Sequence, residues 1–205
     1  MSDDAKRHEV GQKGESERPT RKIGRWVVPL AALEWAVTIF AAIGLAVLIH
    51  TFVGEPFIVP TGSMLNTIQL NDRIWGEKIS YHMRSPEPGE VVMFDNPDGG
   101  GTILVKRVIA TQGQTVDLRD GHVVVDGQVL DEPYVENRPS MPLSQTLPGT
   151  EPVSYPFTVP EGHVWVMGDN RTNSLDSRYF GAVPTSTIVA RAVFTFWPLS
   201  DARWF

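Results

Sequence analysis

From Trp35 to Val53 the chain carries no Asp, Glu, Lys or Arg. That run restricts the fold more than any other feature. At about 1.5 Å per residue, a helix over it reaches roughly 28 Å, close to the roughly 30 Å of a bilayer core. A buried helix of this length in a soluble protein normally shows a polar stripe, and this run shows almost none, with His50 its one titratable residue. A cleavable signal peptide needs a shorter apolar core followed by a small-x-small site. Thr51 and Val53 stand at that spacing before Gly54, which makes a poor site. The expectation is a retained anchor over 25–54. Arg21, Lys22 and Arg25 precede it and Glu55 follows it. The positive-inside rule then places the N-terminus in the cytoplasm and everything after residue 54 outside. Glu34 falls at the inner boundary, within reach of headgroups.

Residues 1–24 are polar and charged, with almost no large apolar side chain, and read as a disordered tail. The whole chain has 205 residues, enough for one sizeable domain plus accessory segments. Its net charge of -6 gives no basic field for nucleic acid. It has no cysteine, which excludes disulfides, thiol catalysis and Cys-based metal sites. The five histidines are scattered, with no pair at metal-ligand spacing.

Residues 55–205 read as strands. Glu90–Phe94, Thr102–Ala110, Thr115–Arg119, His122–Val125, His163–Met167 and Ile188–Trp197 are rich in β-branched or aromatic residues. Asp120-Gly121 is a strong hairpin signal, because that turn needs positive φ at both central positions. Asp126-Gly127 repeats it. No segment after residue 54 keeps a helical period. The expected fold is mainly β, a single N-terminal transmembrane helix followed by a folded-over sheet or small barrel. Arg138–Pro160 is rich in Pro, Ser and Thr and reads as a long surface loop.

Three segments carry possible chemistry. Pro60-Thr61-Gly62-Ser63-Met64 is a short turn just after the apolar run, and Gly62 lets the backbone approach a substrate. Such a turn can aim the Ser63 N–H and the Thr61 hydroxyl at one point, as an oxyanion hole requires. Lys106 lies in Leu104-Val105-Lys106-Arg107-Val108. Strand alternation puts it on one face with Leu104, Val108 and Ala110. It is either buried there or a basic edge residue that discourages aggregation. A buried lysine loses its charge more easily and can activate a serine without histidine. The third segment, Gly168–Arg178, is crowded with Asp, Asn, Ser and Arg. Arg171 occupies the third place of a calcium loop, where an oxygen ligand is needed, so the alternatives are a plain solvated loop or part of a site.

In this order the three segments resemble the sequence boxes of bacterial type I signal peptidases, peptidase family S26, membrane-bound serine–lysine endopeptidases that remove signal peptides. Glu55-Pro56-Phe57, Gly89–Phe94 and Asp120-Gly121 through Leu130–Tyr134 extend the likeness over about residues 34–197. The resemblance implies Ser63 as nucleophile and Lys106 as general base, with Ser174 hydrogen-bonding and orienting the lysine. Asp169, Asp176 and Arg178 resemble supporting residues, and the Ser63 amide and Thr61 hydroxyl match the oxyanion hole. Phe57, Val59, Pro60, Met64, Leu104 and Val105 fall where the family lines two shallow pockets for small residues. It further implies no cofactor, preprotein signal peptides as substrates, the lipid bilayer and the secretion translocon as partners, and a bacterial cell membrane location. One span before Ser63 looks like the arrangement common in Gram-positive bacteria. Asn66 stands where the family commonly has proline, Ile68 where it has leucine, and Asn71-Asp72 where Gly-Asp is usual. Ala110, Gln112 and Gln114 interrupt the usual Gly-Leu-Pro-Gly-Asp. None of these removes a catalytic group. Rival readings are a self-cleaving regulator of the repressor type, a catalytically silent module that grips preproteins or pilins, and a purely structural anchored β-domain.

Overall fold

The computed structural model describes residues 30–205. The expected tail over 1–24, and residues 25–29 of the expected anchor, lie outside the described residues. Helix α1 spans Leu30–Leu48, starting five residues before the uncharged run, so that Glu34 lies inside it. Thr38 Oγ1 donates to the Glu34 carbonyl at 2.9 Å. A π-type turn, Ile49–Val53, follows. Leu30–Val53 is the one stretch among the described residues long and apolar enough to cross a membrane, and none of it is buried.

The chain divides into two units, Met1–Ala41 and Ala42–Phe205. The second unit carries the sheets. Its elements are β1 (Gly54–Ile58), β2 (Arg73–Glu77), the one-turn helix α2 (Ser80–Met83), β3 (Val91–Asp95), β4 (Ile103–Thr111), β5 (Thr115–Arg119) and β6 (His122–Val125). They continue with β7 (Gln128–Val129), β8 (Phe157–Thr158), β9 (His163–Met167), the one-turn helix α3 (Ser177–Phe180), β10 (Val183–Pro184), β11 (Ile188–Trp197) and β12 (Arg203–Trp204). One sheet runs β1-β2-β11-β3-β4-β9-β10, with β12 on β11; the other runs β7-β6-β5-β8. Neighbouring strands are antiparallel throughout. The mainly β expectation holds, as two open sheets rather than a closed barrel.

The hairpin signals act as read. Asp120 and Gly121 take φ 51° and 81° between β5 and β6, and Asp126 and Gly127 repeat those angles before β7. Arg138–Pro160 is mostly irregular and exposed, but its last residues return to the second sheet as β8, paired with Thr115 and Val116. The apolar residues Phe157 and Val159, set one apart, supply the half-buried pattern that the Pro- and Ser-rich composition hides.

Three apolar clusters hold the unit together. The first joins Val59, Met64 and Ile68 to Ile74, Met93 and Val105, and so ties the segment after β1 to the sheet. The second packs Ile109, Trp165 and Met167 of the large sheet against Val116 and Val123 of the small one. The third covers the other side of β3, β4 and β9 with Val92, Phe94, Val108 and Val166, capped by Tyr81 and Phe180. Strand β4 is therefore buried on both sides. A register shift between Val108 and Ala110 breaks its alternation. Ala110 consequently packs with Ile109 in the second cluster, not with Val108 as strict alternation predicts.

Candidate active site

The turn that carries Ser63 is held from below. Val59 N–H donates to Asp72 O at 3.0 Å and Asn71 N–H to Val59 O at 2.8 Å, closing its base. Met64 and Ile68 are fully buried and pin it to the core. Asn71 meets the bend with φ 65°, a left-handed conformation that asparagine tolerates. Ser63 is left 9% exposed at the rim.

Lys106 comes from the middle of β4, opposite Val92 in the register, and is 2% exposed. The edge-strand reading of this lysine is thereby set aside, because β4 lies between β3 and β9. Its Nζ lies 2.7 Å from Ser63 Oγ and donates to Val105 O at 3.1 Å. Burial pushes its ammonium from 10.5 down to about 8; Asp176 and Asp169 oppose that fall at a distance, and Arg178 adds to it. Three other buried cations each have a carboxylate. Arg107 forks onto Asp169 at 2.9 and 2.6 Å, Arg178 onto Asp176 at 2.8 and 2.9 Å, and Arg171 pairs with Glu132. Lys106 has no such partner among the described residues. An unpaired charge in a low-dielectric interior sheds its proton.

The carboxylates also shape the backbone. Asp176 accepts from Gly168 N–H at 3.0 Å, and its other oxygen accepts from Arg178 N–H at 3.2 Å at the start of α3. Asp169 accepts from Thr67 Oγ1 at 2.5 Å, which ties the Ser63 turn to the segment after β9. Asn170 N–H donates to Ser63 O at 3.0 Å, and Asn170 Nδ2 to Gly62 O at 2.8 Å. Between them Gly168 is packed so closely that a Cβ would lie 2.3 Å from Ser174 Oγ and 2.4 Å from Ser63 O.

The structure thus gathers Ser63, Lys106, Ser174, Asp169, Asp176 and Arg178 around one point. Ser174 Oγ is buried there without a hydrogen-bond partner among the described residues, and the expected bond from Ser174 to Lys106 is not formed; Lys106 Nζ is engaged by Ser63 and Val105 O. Thr61 is exposed, with Oγ1 3.5 Å from Ser63 Oγ. Phe57, Val59, Met64 and Val105 share the first cluster. Leu104 packs against the third cluster instead, and Pro60 is exposed.

Sequence reasoning missed Arg107, Arg171, Glu132 and Tyr134 as site residues. Arg107 stacks over the Tyr134 ring at 4.1 Å, and Tyr134 Oη donates to Glu132 at 2.9 Å. All four lie inside the segments that carry the resemblance, so their signal was present. Their pairing, across tens of residues, was not. A cavity of about 660 Å³, lined by His122, Leu130, Glu132, Pro133 and Arg138 among others, adjoins these residues but includes neither Ser63 nor Lys106.

Comparison with known proteins gives a consistent result. The family described as "Signal peptidase, peptidase S26" matches residues 32–197. A probable signal peptidase I-1 of Synechocystis sp. is 40% identical over 173 residues, covering 81% of this chain and 82% of the relative. A signal peptidase I of Leptolyngbya laminosa is 38% identical over 176 residues, covering 82% and 81%. A signal peptidase I of Mycobacterium tuberculosis is 35% identical over 218 residues, covering 83% and 74%.

Proposed function

Because this chain belongs to the signal peptidase family, peptidase S26, we propose that it cuts preproteins with Ser63 as nucleophile and Lys106 as general base. It is a serine peptidase that removes N-terminal signal peptides. The observation that carries the assignment of residues is the 2.7 Å approach of Lys106 Nζ to Ser63 Oγ, with the lysine buried and without a carboxylate.

Neutral Lys106 takes the Ser63 proton as Oγ attacks the carbonyl carbon of the residue before the cut. The Ser63 N–H and the Thr61 hydroxyl stabilise the oxyanion. The protonated lysine donates to the leaving amine, and the peptide bond breaks. Water then attacks the acyl-enzyme ester, giving its proton to Lys106, and the acid product leaves with Ser63 restored. Asp169, Asp176 and Arg178 hold the lysine's surroundings, and Ser174 packs against Gly168 beside them. Phe57, exposed Pro60 and Val105 flank the site and admit small residues, of Ala-x-Ala type, before the cut, backed by buried Val59 and Met64. Leu104 lies with the third cluster and is not part of these walls. The enzyme is membrane-associated. In our reading Leu30–Val53 spans the bilayer once, with the N-terminus in the cytoplasm and Ser63 outside. Signal peptides emerge on that side, so the span raises effective concentration without new contacts. The secretion translocon is the partner that delivers them.

The test uses detergent-solubilised wild type and Ser63→Ala with a preprotein carrying an Ala-x-Ala boundary, the products read by mass. Cleavage after that alanine by wild type alone is expected. Cleavage by both proteins would remove Ser63 from its role. Binding without cleavage by either would point to the silent module.

A further inference from the structure

Arg138 opens the irregular stretch before β8 and is half-buried. Its guanidinium forks toward two asparagines. Nη1 donates to Asn170 Oδ1 at 3.1 Å, and Nη2 donates to Asn66 Oδ1 at 3.4 Å. Asn170 grips the carbonyls of Gly62 and Ser63 through its side chain and its backbone N–H. Asn66 is the third residue of a turn closed by Thr67 N–H donating to Met64 O at 3.1 Å, and it takes φ 82°. That is where type II turns need glycine or asparagine, and a proline ring cannot reach it. One planar group therefore touches Asn170, which grips the carbonyls of Gly62 and Ser63, and Asn66, which shapes the turn that follows Ser63. Arg138 makes no ion pair among the described residues, so no carboxylate explains its placement.

We propose that Arg138 is a positioning residue that fixes Ser63 Oγ against Lys106 through Asn66 and Asn170. The inference rests on the Ser63–Lys106 reading above. A reacting atom displaced by about an ångström loses roughly a hundredfold in rate, so a turn of this kind gains from being held on both flanks. The fork needs two N–H groups in one plane. Lysine supplies a point charge and cannot span both oxygens.

The test compares full-length wild type with Arg138→Gln, Arg138→Lys, Asn66→Gly and the Arg138→Gln/Asn66→Gly pair, in detergent, on the same preprotein. Arg138→Gln is expected to lower kcat by about tenfold or more, with KM, melting temperature and the pH midpoint of kcat/KM unchanged. Arg138→Lys is expected to restore only part of the rate. Asn66→Gly keeps the left-handed turn and loses one arm, so its loss is smaller, and the double variant is no worse than Arg138→Gln alone. Wild-type kcat in Arg138→Gln, full rescue by lysine, additive losses, or a rate that falls only with melting temperature would each overturn the positioning role alone. A wild type that does not cleave would overturn the dyad, and this inference with it.

Discussion

Lys106 combines two properties that pull on stability and catalysis in opposite directions. Its pKa near 8 leaves about one molecule in ten neutral at pH 7, against fewer than about one in a thousand for a free lysine. The folded value lies below the unfolded one, so the unfolded chain binds the proton more tightly. The cost of burial is then fully present below pH 8 and fades as pH rises from 8 towards 10.5. Lys106→Met removes that cost. It is expected to abolish turnover and to stabilise the protein by about 3 kcal/mol at pH 7, a gain that shrinks as pH approaches 10.5. Denaturant unfolding at pH 7 and pH 10 reads this directly; equal gains at both would contradict it. In the wild type kcat/KM is expected to climb with pH and level off above about 8.

At the scale of elements, the site is a meeting of the turn after β1, the middle of β4 and the segment after β9. Gly168 is the point where the first and third touch. Gly168→Ala puts a methyl against Ser63 O and Ser174 Oγ, and is expected to cost about 1–3 kcal/mol of stability. The same variant should lower kcat, since relief of the clash moves the Ser63 turn. Full stability with full activity would show that the turn can yield freely. Much of this was legible beforehand. The hairpins were, because Asp-Gly fixes its own backbone angles. Ser63 and Lys106 were, because each stands in a compact box. The face assignment of Lys106 was not secure, because β4 is buried on both sides and a register shift spoils its period at Ala110. The three arginine–carboxylate pairs differ in the same way. Arg178 and Asp176 are two apart, whereas Arg107 and Asp169 are 62 apart, a pairing that only the tertiary fold creates. Arg138 gave no signal at all, being a lone cation in a Pro- and Ser-rich stretch.

At the scale of the whole molecule, the absence of cysteine makes the proposed orientation easy to read. Asp98 lies on an exposed turn between β3 and β4, and Glu15 lies in the polar N-terminal segment. In intact cells Asp98→Cys is expected to react with a membrane-impermeant maleimide, while Glu15→Cys reacts only after permeabilisation. The reverse pattern would invert the topology. Asp98 bonds within its own turn, to Asn96 and Gly100, so peptidase activity should survive Asp98→Cys.

The bonds that join Thr67 to Asp169 and Gly62 to Asn170 span 102 and 108 positions of the chain. A ribosome delivers Ser63 and Lys106 long before it delivers the residues that enclose them. A half-made chain therefore holds its serine and its lysine in water, where the amine stays charged and the hydroxyl stays inert. The contacts that enclose the pair arrive last, so the site can assemble only once the segment after β9 has been made.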